Sequence, residues 1–520
     1  MNAQIAQAWG LLPGYLAGHV ALSAAALLLG LVVGAPLALL ASRSRRARWP
    51  ILAFASLVQT IPSLALLALF YPLLLALSAL ARIVFGHGFA ALGFLPSLLA
   101  LALYALLPIL RNGVAGLEGV DPAVREAARG VGMTDRQRLF QVEIPLAAPV
   151  AMAGVRTAAV WVIGGATLST AVGWSSLGDY IFAGLQTENW VLVLFGCAAS
   201  AALALIADQL LALVEIGLAR RSRGRLIGGA AGLLAGVALA LAPRLGLAAA
   251  AQGPAYVVGA KNFSEQYILA DLMGRRLQAV GARVTQRSDL GSAIAFRALQ
   301  AGDIDVYVDY SGTLWTSVLG HADTPPRAVL LTRMAQELKA RFGVETLGAL
   351  GFENAYALAM KADRAKALGV ASLSDLAPKA GGMTLGSDLE FLSRPEWRAI
   401  QQAYGLDFKG ERRFQPTFMY NALQDGEADV ISAFSSDGRI AADHLVTLAD
   451  PKGAAPSYDA VILIAPRRSG DLRLQAALKP LVGAIAVERM RAANLTVDRD
   501  QDKRTPAEAA AALDREIGTR

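Results

Sequence analysis

The residues able to carry chemistry are few and scattered along the chain. The four histidines, His19, His87, His321 and His444, lack the spacing of metal ligands, and the single cysteine, Cys197, excludes an intrachain disulfide and a CxxC metal site. No nucleophile–base arrangement is recognisable, and no GxxxxGK[ST] phosphate-binding loop occurs. The sequence therefore predicts a protein with no metal site, no cofactor and no catalytic residue of its own.

Two carboxylates lie in an unusual place. Asp208 and Glu215 fall inside the long apolar run 190–217, and acidic residues at such depth in a membrane span are functional candidates by default. We interpret Glu215 as a residue that reaches the membrane boundary beside Arg220. For Asp208, which lies deeper, a structural role, a dimer interface and a transport pathway all remain open.

The elements that must position any site divide the chain into two halves. The mean hydropathy of +0.45 and the 55% of hydrophobic residues are high for a soluble protein, and the apolar excess lies before about residue 250. Beyond that point charged and apolar residues alternate as they do in soluble α/β domains. The net charge of +7 comes largely from basic residues in short loops between apolar runs, which favours a membrane protein over a nucleic-acid-binding one.

The apolar runs are long enough to predict six membrane spans. Their approximate bounds are 17–41, 51–80, 90–110, 147–170, 190–217 and 226–243. Pro62 interrupts the second run, but the basic residues of the loops alternate cleanly if 51–80 crosses once. We therefore expect the N-terminus and everything after about residue 250 outside the cytoplasm, and 111–146 inside.

In the sixth span Gly228, Gly232 and Gly236 would allow close helix packing, although a glycine-rich anchor without a dedicated partner is an equal alternative.

The loop between the third and fourth spans reads REAARGVGMTDRQRLFQVEIPLAAP. Asp121-Pro122 is expected to open a short helix, because proline is tolerated in the first helical turn. Gly132 would then let the chain turn away, and Ile144-Pro145 would end the unit and admit the next span. The pattern predicts a compact helical hairpin that protrudes into the cytoplasm and fits a groove of a partner.

This loop resembles the EAA loop of ABC importer permeases, with Glu126, Ala127, Ala128, Gly132 and Pro145 at the spacing of that motif. The segments QTIPSLALLALF, YALLPILRN and SLGDYIFAGL are similar to permeases of the glycine betaine/choline/carnitine family. The resemblance implies a separate ATPase subunit that carries ATP and Mg²⁺, a second copy of the permease in a homodimer, and a multi-pass protein of the bacterial inner membrane. Membrane lipid is an expected partner, and nucleic acid is not.

The soluble half alternates strands and helices. AYVVGA precedes KNFSEQYILADLMGRRLQ, in which Ser264 is a good N-cap, and MTLGSDLEF and ADVISAFSSDGRI repeat the pattern. We predict an α-helical permease, 1–225, a sixth span and linker, 226–254, and an α/β binding domain, 255–520. The binding domain should have two lobes, about 255–355 plus 460–520 and 356–459, with the ligand between them.

Strings throughout this half are similar to binding proteins of the osmoprotectant family, namely KNFSEQYIL, DYSGT, ENAYALAM, MYNALQDGEADV, FSSDGRIAADHL and PSYDAVILI. That family holds quaternary ammonium ligands in an aromatic cage, usually of four tyrosines. The resemblance assigns Tyr310, Tyr356 and Tyr458 to the cage and places Phe434 where the family usually has tyrosine. A ring face attracts a cation with or without a hydroxyl.

Many ligands of that family also carry a carboxylate. The turn Lys261-Asn262-Phe263-Ser264, at a helix N-terminus, could hold an anion through backbone N–H groups, so Asn262 is a candidate. Arg394 could grip a carboxylate with two hydrogen bonds, and an ordinary surface ion pair is its equal alternative.

Together these observations favour an importer subunit for a quaternary ammonium compound such as glycine betaine, choline, carnitine or a related betaine such as ergothioneine. An importer of ordinary amino acids is the alternative within transport. A membrane-anchored receptor that binds solute without transporting it is a third possibility, and an enzyme is the least supported.

Overall fold

The computed structural model describes residues 3–187, 189–250, 253–388, 391–414, 416–499 and 501–518. Contacts within the chain divide it into two compact units, 1–182 with 191–251 and 183–190 with 252–520. The first unit is helical and the second is built on two β-sheets. The predicted fold class, a helical membrane permease followed by a two-lobed α/β domain, is confirmed.

Within the described residues, the first half of the chain forms ten α-helices. They are α1 Ala3–Arg43, α2 Arg45–Thr60, α3 Ser63–Phe85, α4 Phe94–Glu118, α5 Pro122–Gly130, α6 Asp135–Arg138, α7 Ile144–Gly165, α8 Gly178–Gln186, α9 Trp190–Ala219 and α10 Arg223–Ala250. Six helical stretches in this part are long and apolar enough to cross a membrane, namely Gln4–Arg43, Ser63–Phe85, Phe94–Glu118, Asp135–Val172, Trp190–Ala219 and Arg223–Ala242. The predicted number of membrane spans, six, is confirmed for the described residues.

The second span begins later than expected. The run 51–80 is divided at Ile61, which is extended (ψ 127°), and Pro62, and a new helix begins at Ser63. Proline removes a backbone donor and disfavours the helical conformation of the residue before it. Of the two helices only Ser63–Phe85 is long enough to span. This agrees with the single crossing of 51–80 expected from the loop arginines, and the span begins after the proline rather than at residue 51.

The loop between the third and fourth spans folds as a helical hairpin. Asp121 caps α5 by accepting from the Ala123 N–H at 2.8 Å, and Pro122 lies in the first turn. Gly132 adopts φ +82°, the left-handed region that glycine occupies without strain. These two predictions are confirmed. The next span begins at Ile144-Pro145 as expected, but the helix is not broken there, because a π-helical turn, 139–143, leads directly into α7.

Of the three glycines predicted to allow close packing of the sixth span, Gly232 packs against α9, and its partner in that contact is Gly229. A Cβ atom added to Gly229 would lie 2.7 Å from the Leu210 carbonyl oxygen, and one added to Gly232 would lie 2.7 Å from a methyl group of Leu210. Gly228 and Gly236 meet nothing within 4 Å. Close packing therefore uses the three-residue spacing of Gly229 and Gly232, two neighbours on one helix face.

The described residues of the second unit form ten strands in two five-stranded sheets. They are β1 Ala255–Lys261, β2 Arg283–Leu290, β3 Val306–Tyr310, β4 Glu345–Glu353, β5 Tyr356–Lys361, β6 Thr384–Ser387, β7 Gly410–Arg413, β8 Val430–Phe434, β9 Leu445–Thr447 and β10 Asp459–Ile464. The strand orders are β2-β1-β3-β10-β4 and β7-β6-β8-β5-β9. Strands β1, β2 and β3 are parallel, whereas β10 is antiparallel to β3 and β4.

Helices cover the sheets and connect their strands. They are α11 Ser264–Ala279, α12 Ser292–Ala301, α13 Ser311–Thr313, α14 Arg327–Phe342, α15 Ala362–Leu368, α16 Leu373–Leu376, α17 Pro395–Tyr404, α18 Pro416–Gln424, α19 Arg439–Ala442, α20 Leu472–Leu478, α21 Val487–Asp498 and α22 Pro506–Gly518. Each sheet has its own apolar core. The chain passes from the first sheet to the second after β4 and returns before β10, so two lobes share two connecting segments.

Candidate ligand-binding site

The four aromatic residues assigned to a cage lie at strand ends near the passages between the lobes. Tyr310 ends β3, Tyr356 begins β5, Phe434 ends β8, and Tyr458 immediately precedes β10. Tyr356 and Phe434 are partners in the antiparallel pair of β5 and β8, so their side chains are direct neighbours on one sheet face. Strand order, which the sequence does not reveal, is what brings these positions together.

The rings form one continuous series of contacts. The ring centroids of Tyr356 and Phe434 are 4.9 Å apart, and those of Tyr356 and Tyr458 are 5.8 Å apart at an angle of 87°. A fifth ring, Phe263, stacks on Phe434 at 5.9 Å and on Tyr310 at 6.1 Å. The structure therefore brings all four predicted rings into one aromatic cluster, in which Phe263 joins Tyr310 to the rest.

Phe263 is a residue that the sequence reasoning missed. It lies in the KNFSEQYIL string, two residues after the end of β1 and next to Asn262, which was chosen instead. An aromatic residue in the turn after a buried strand of a matched string was the available signal. Asn262 itself is half-buried in the turn between β1 and α11.

A glycine of the DYSGT string makes room for the cluster. A Cβ atom added to Gly312 would lie 2.6 Å from two ring carbons of Tyr458. No real Cβ approaches a ring so closely, and the ring of Tyr458 is buried and cannot swing away. The Tyr458 ring can therefore occupy its position only because Gly312 has no side chain.

The hydroxyl groups of two cage tyrosines are bound by buried carboxylates. Tyr310 donates to Oε1 of Glu265 at 2.6 Å, and Tyr458 donates to Oε1 of Glu396. Burial, reinforced by the neighbouring carboxylate, raises the pKa of each phenol well above its usual value, so both stay protonated. Since the hydroxyls are engaged with the protein, the ring faces are the surfaces left for a ligand.

The N-terminus of α11 differs from the prediction. Phe263 occupies the N-cap position and makes no side-chain cap, so the assignment of Ser264 as the N-cap is wrong. Ser264 is the first helical residue, and its hydroxyl instead donates to Oδ1 of Asp498 at 2.5 Å. A carboxylate of the chain therefore already lies beside the turn that the sequence offered as an anion site.

Arg394 is buried, which excludes an ordinary surface ion pair. Its Nη1 and Nη2 atoms donate to Thr313 Oγ1 at 3.4 Å and to Ser292 Oγ at 3.2 Å, both on the lobe of the first sheet. Its guanidinium carbon lies 5.3 Å from the ring centroid of Tyr356. Arg394, from the segment between β6 and β7, thus links the two lobes at the edge of the cluster.

A recess reaches the cluster from the side of Phe263 and Phe434. Its walls include Glu265, Asn354, Asp437, Arg439, Asn494 and Asp498. Burial, followed by the neighbouring Asp437, raises the pKa of Asp498 to about 7. Among the described residues, no group of three or more His, Cys, Asp or Glu side chains is arranged to hold a metal ion.

The acidic residues of the fifth span have a partner that the sequence reasoning missed. Arg156 of α7 binds both carboxylate oxygens of Asp208 at 2.9 Å through Nε and Nη2, and binds Glu215 at 2.8 Å through Nη1. The placement of Glu215 beside Arg220 is therefore wrong. A single arginine in the apolar run 147–170 was the available signal, because an ionised group there requires an opposite charge.

The EAA positions form the outer part of the hairpin. Glu126, Ala127, Gly132 and Pro145 are exposed, and Ala128 is buried beneath them. The hairpin is fixed at its base by Glu143, which accepts from Arg138 Nε at 2.9 Å and lies 3.4 Å from Arg43 Nη2 at the end of α1. The exposed side chains of Val131 and Phe140 add an apolar surface that the motif itself does not contain.

Comparison with known proteins gives matches for both halves. Residues 254–515 match the family described as the substrate-binding domain of the ABC-type glycine betaine transport system, and residues 26–220 match the binding-protein-dependent transport system inner membrane component. The chain is similar to the ergothioneine transport permease/ergothioneine binding protein of Helicobacter pylori (strain G27), with 29% identity over 450 residues, 84% of this chain and 77% of that protein.

Two further similarities each cover one half. The choline transport system permease protein of Bacillus subtilis (strain 168) is 38% identical over 197 residues, 38% of this chain and 83% of that protein. A crystal structure described as a glycine betaine/carnitine/choline ABC transporter covers 51% of this chain and 98% of its own, with 26% identity and a TM-score of 0.44.

Proposed function

The chain belongs to the family of substrate-binding domains of ABC-type glycine betaine transport systems, joined here to a permease of the same kind of importer, and on that premise we propose that it imports a quaternary ammonium compound. It is the permease and substrate-binding subunit of an ABC importer. The substrates named for its relatives, which include glycine betaine, carnitine, choline and ergothioneine, indicate the class.

The observation that carries this proposal is the aromatic cluster. Five rings meet where the two lobes approach, and the hydroxyls of Tyr310 and Tyr458 are bound by carboxylates of the protein. A ring face attracts a cation by ~0.5–2 kcal/mol, most strongly where water is excluded. A trimethylammonium group has no N–H donors, so it loses no hydrogen bond on entering such a site. An ordinary amino acid would leave its ammonium donors unsatisfied there, and that alternative is not favoured.

The rest of the importer follows from the same premise. The exposed EAA hairpin, with Glu126, Gly132 and Pro145 on its outer part, is the proposed docking site of a separate ATPase subunit that binds ATP and Mg²⁺. A second copy of the chain would complete the permease. We place the protein in the bacterial inner membrane with the binding domain outside, and we propose no catalytic residue and no cofactor in this chain.

Binding and transport must be tested together, because a receptor that does not transport would also bind. The purified full-length chain should be titrated calorimetrically with glycine betaine, choline, carnitine, ergothioneine and a panel of free amino acids. Cells that express the chain with its ATPase should then take up the best ligand. Preference for a free amino acid would refute the substrate class, and binding without ATP-dependent uptake would favour the receptor.

A further inference from the structure

Glu265 is a buried carboxylate directly behind the aromatic cluster. The residue is 2% exposed. Oε1 accepts from the Tyr310 hydroxyl at 2.6 Å and from Asn354 Nδ2 at 3.0 Å, and Oε2 accepts from Asn494 Nδ2 at 3.1 Å. Burial raises the pKa of Glu265, and these hydrogen bonds oppose that rise by favouring the ionised form. All of the donors are neutral, so they fix the position of the carboxylate without pairing it with a cation.

Each cation around the cluster lies near a carboxylate other than Glu265. Lys261, whose Nζ lies 5.2 Å from the Tyr310 ring centroid, forms a buried ion pair with Asp309. Arg394 lies 4.0 Å from Glu396, the acceptor of the Tyr458 hydroxyl. Arg439 shares the recess with two further carboxylates, Asp437 and Asp498, so that wall adds no net positive charge. Within the described residues, Glu265 therefore adds a negative charge that no cation contacts directly.

A buried carboxylate without a cation is costly, because its charge is removed from water. A ligand cation that enters the adjacent cluster relieves part of this cost, since charges interact strongly where solvent is excluded. The bond from the Tyr310 hydroxyl to a charged acceptor also strengthens the negative face of the ring. Both effects favour a cation and leave a neutral group of the same shape unaffected.

We propose that Glu265 is a specificity-determining residue that acts through Tyr310, so that the cluster selects a quaternary ammonium group over an uncharged group of identical shape. This inference rests on the proposed function, because it assumes that the cluster receives the cation. Glu265 acts through the hydroxyl of Tyr310, which donates to its Oε1. It positions the Tyr310 ring and supplies the charge behind it.

The test compares cations with their neutral isosteres. The full-length chain is titrated with choline and with 3,3-dimethylbutan-1-ol, in which a carbon replaces the nitrogen and the positive charge is lost. In Glu265→Gln, which keeps the shape and an acceptor for Tyr310, the preference for the cation should fall by about 10-fold or more, through weaker binding of the cation. The Kd of the neutral isostere should stay within about 2-fold.

Two variants make the result decisive. Glu411→Gln removes the same charge from an exposed position on β7 and should leave both affinities unchanged, because solvent screens it. Tyr310→Phe keeps the ring but removes the link to Glu265, so it should lose about 3-fold or more of the cation preference. If Glu265→Gln shows no cooperative unfolding transition and has therefore not folded, the cation preference of Tyr310→Phe alone tests the inference.

The outcomes separate this inference from the proposed function. An unchanged cation preference in folded Glu265→Gln, or in Tyr310→Phe, overturns the inference and leaves the importer assignment intact. Equal binding of cation and isostere by the wild-type chain also overturns it. Failure of the wild-type chain to bind any quaternary ammonium compound would refute the proposed substrate class, and the inference would fall with it.

Discussion

Tyr356 and Phe434 face each other across the antiparallel pair of β5 and β8, with ring centroids 4.9 Å apart and ring planes at 45°. They lie 78 positions apart in the chain. One aromatic thus comes from the start of a strand and the other from the end of its neighbour, and both rings continue the cluster formed with Tyr458 and Phe263. The first prediction concerns this pair.

Replacing either ring should weaken ligand binding without abolishing the fold. Tyr356→Ala or Phe434→Ala should cost about 1–2 kcal/mol of binding, roughly 5- to 30-fold in Kd, from lost cation–π contact. Phe434→Tyr should bind normally, because it keeps the ring. Calorimetry with the best quaternary ammonium ligand measures the effect. Phe342→Ala, at a ring that packs on Phe296 outside the cluster, is the control, and an equal loss of binding there would contradict the assignment.

Gly312 should not tolerate even a methyl group. In Gly312→Ala the new Cβ would overlap the Tyr458 ring, and overpacking of this kind costs about 1–3 kcal/mol of folding free energy. We expect a lower melting temperature and weaker ligand binding. Gly382→Ala, where nothing lies within 4 Å, should change neither quantity. A fully stable Gly312→Ala variant with wild-type affinity would show that the ring is not held in place as the structure indicates.

Gly132 should be required for transport and dispensable for ligand binding. Its φ of +82° is unfavourable for a β-branched residue by about 1–2 kcal/mol, so Gly132→Val should distort the turn of the hairpin. We expect ATP-dependent uptake to fall at least about 10-fold at normal expression, because hairpin geometry determines the proposed contact with the ATPase. Gly130→Ala, in an open helical position, should transport normally. Undiminished uptake by Gly132→Val would argue against the coupling role.

Arg156 should stabilise the membrane unit by neutralising two acids. Arg156→Leu would leave Asp208 and Glu215 without their common partner, and an acidic side chain without a countercharge inside a membrane span costs on the order of 3 kcal/mol. The variant should express poorly and melt earlier in detergent. Adding Asp208→Asn and Glu215→Gln to Arg156→Leu should restore most of the stability. If the triple variant is no more stable than Arg156→Leu, charge pairing is not the reason for the arrangement.

The orientation of the chain can be tested by thiol labelling. Cys197 is the single native thiol, so Cys197→Ser provides a background without cysteine. In that background Ala371→Cys, at an exposed position of the binding domain, should react with a membrane-impermeant reagent in intact cells, with the outer membrane permeabilised if present. Arg136→Cys, in the hairpin, should react only after lysis. The reverse pattern would invert the topology derived from the loop arginines.

The sequence by itself determined the features that depend on local pattern. Apolar runs predicted six spans because a span needs only length and hydropathy. Asp121-Pro122 and Gly132 predicted the start and the turn of the hairpin because caps and left-handed turns have strong residue preferences. The matched strings were sufficient to select Tyr310, Tyr356, Phe434 and Tyr458, although their ligand-binding role stays a prediction.

Only the tertiary structure decided which distant residues meet. Strand order and register brought Tyr356 to Phe434, placed Phe263 between Phe434 and Tyr310, and set Glu265 behind the Tyr310 hydroxyl. Helix packing gave Asp208 and Glu215 the same partner, Arg156, more than 50 residues earlier. Such contacts depend on how elements that are far apart in the sequence pack against each other. The local residue pattern of an element does not specify which element packs beside it, so these contacts could not be predicted from local pattern.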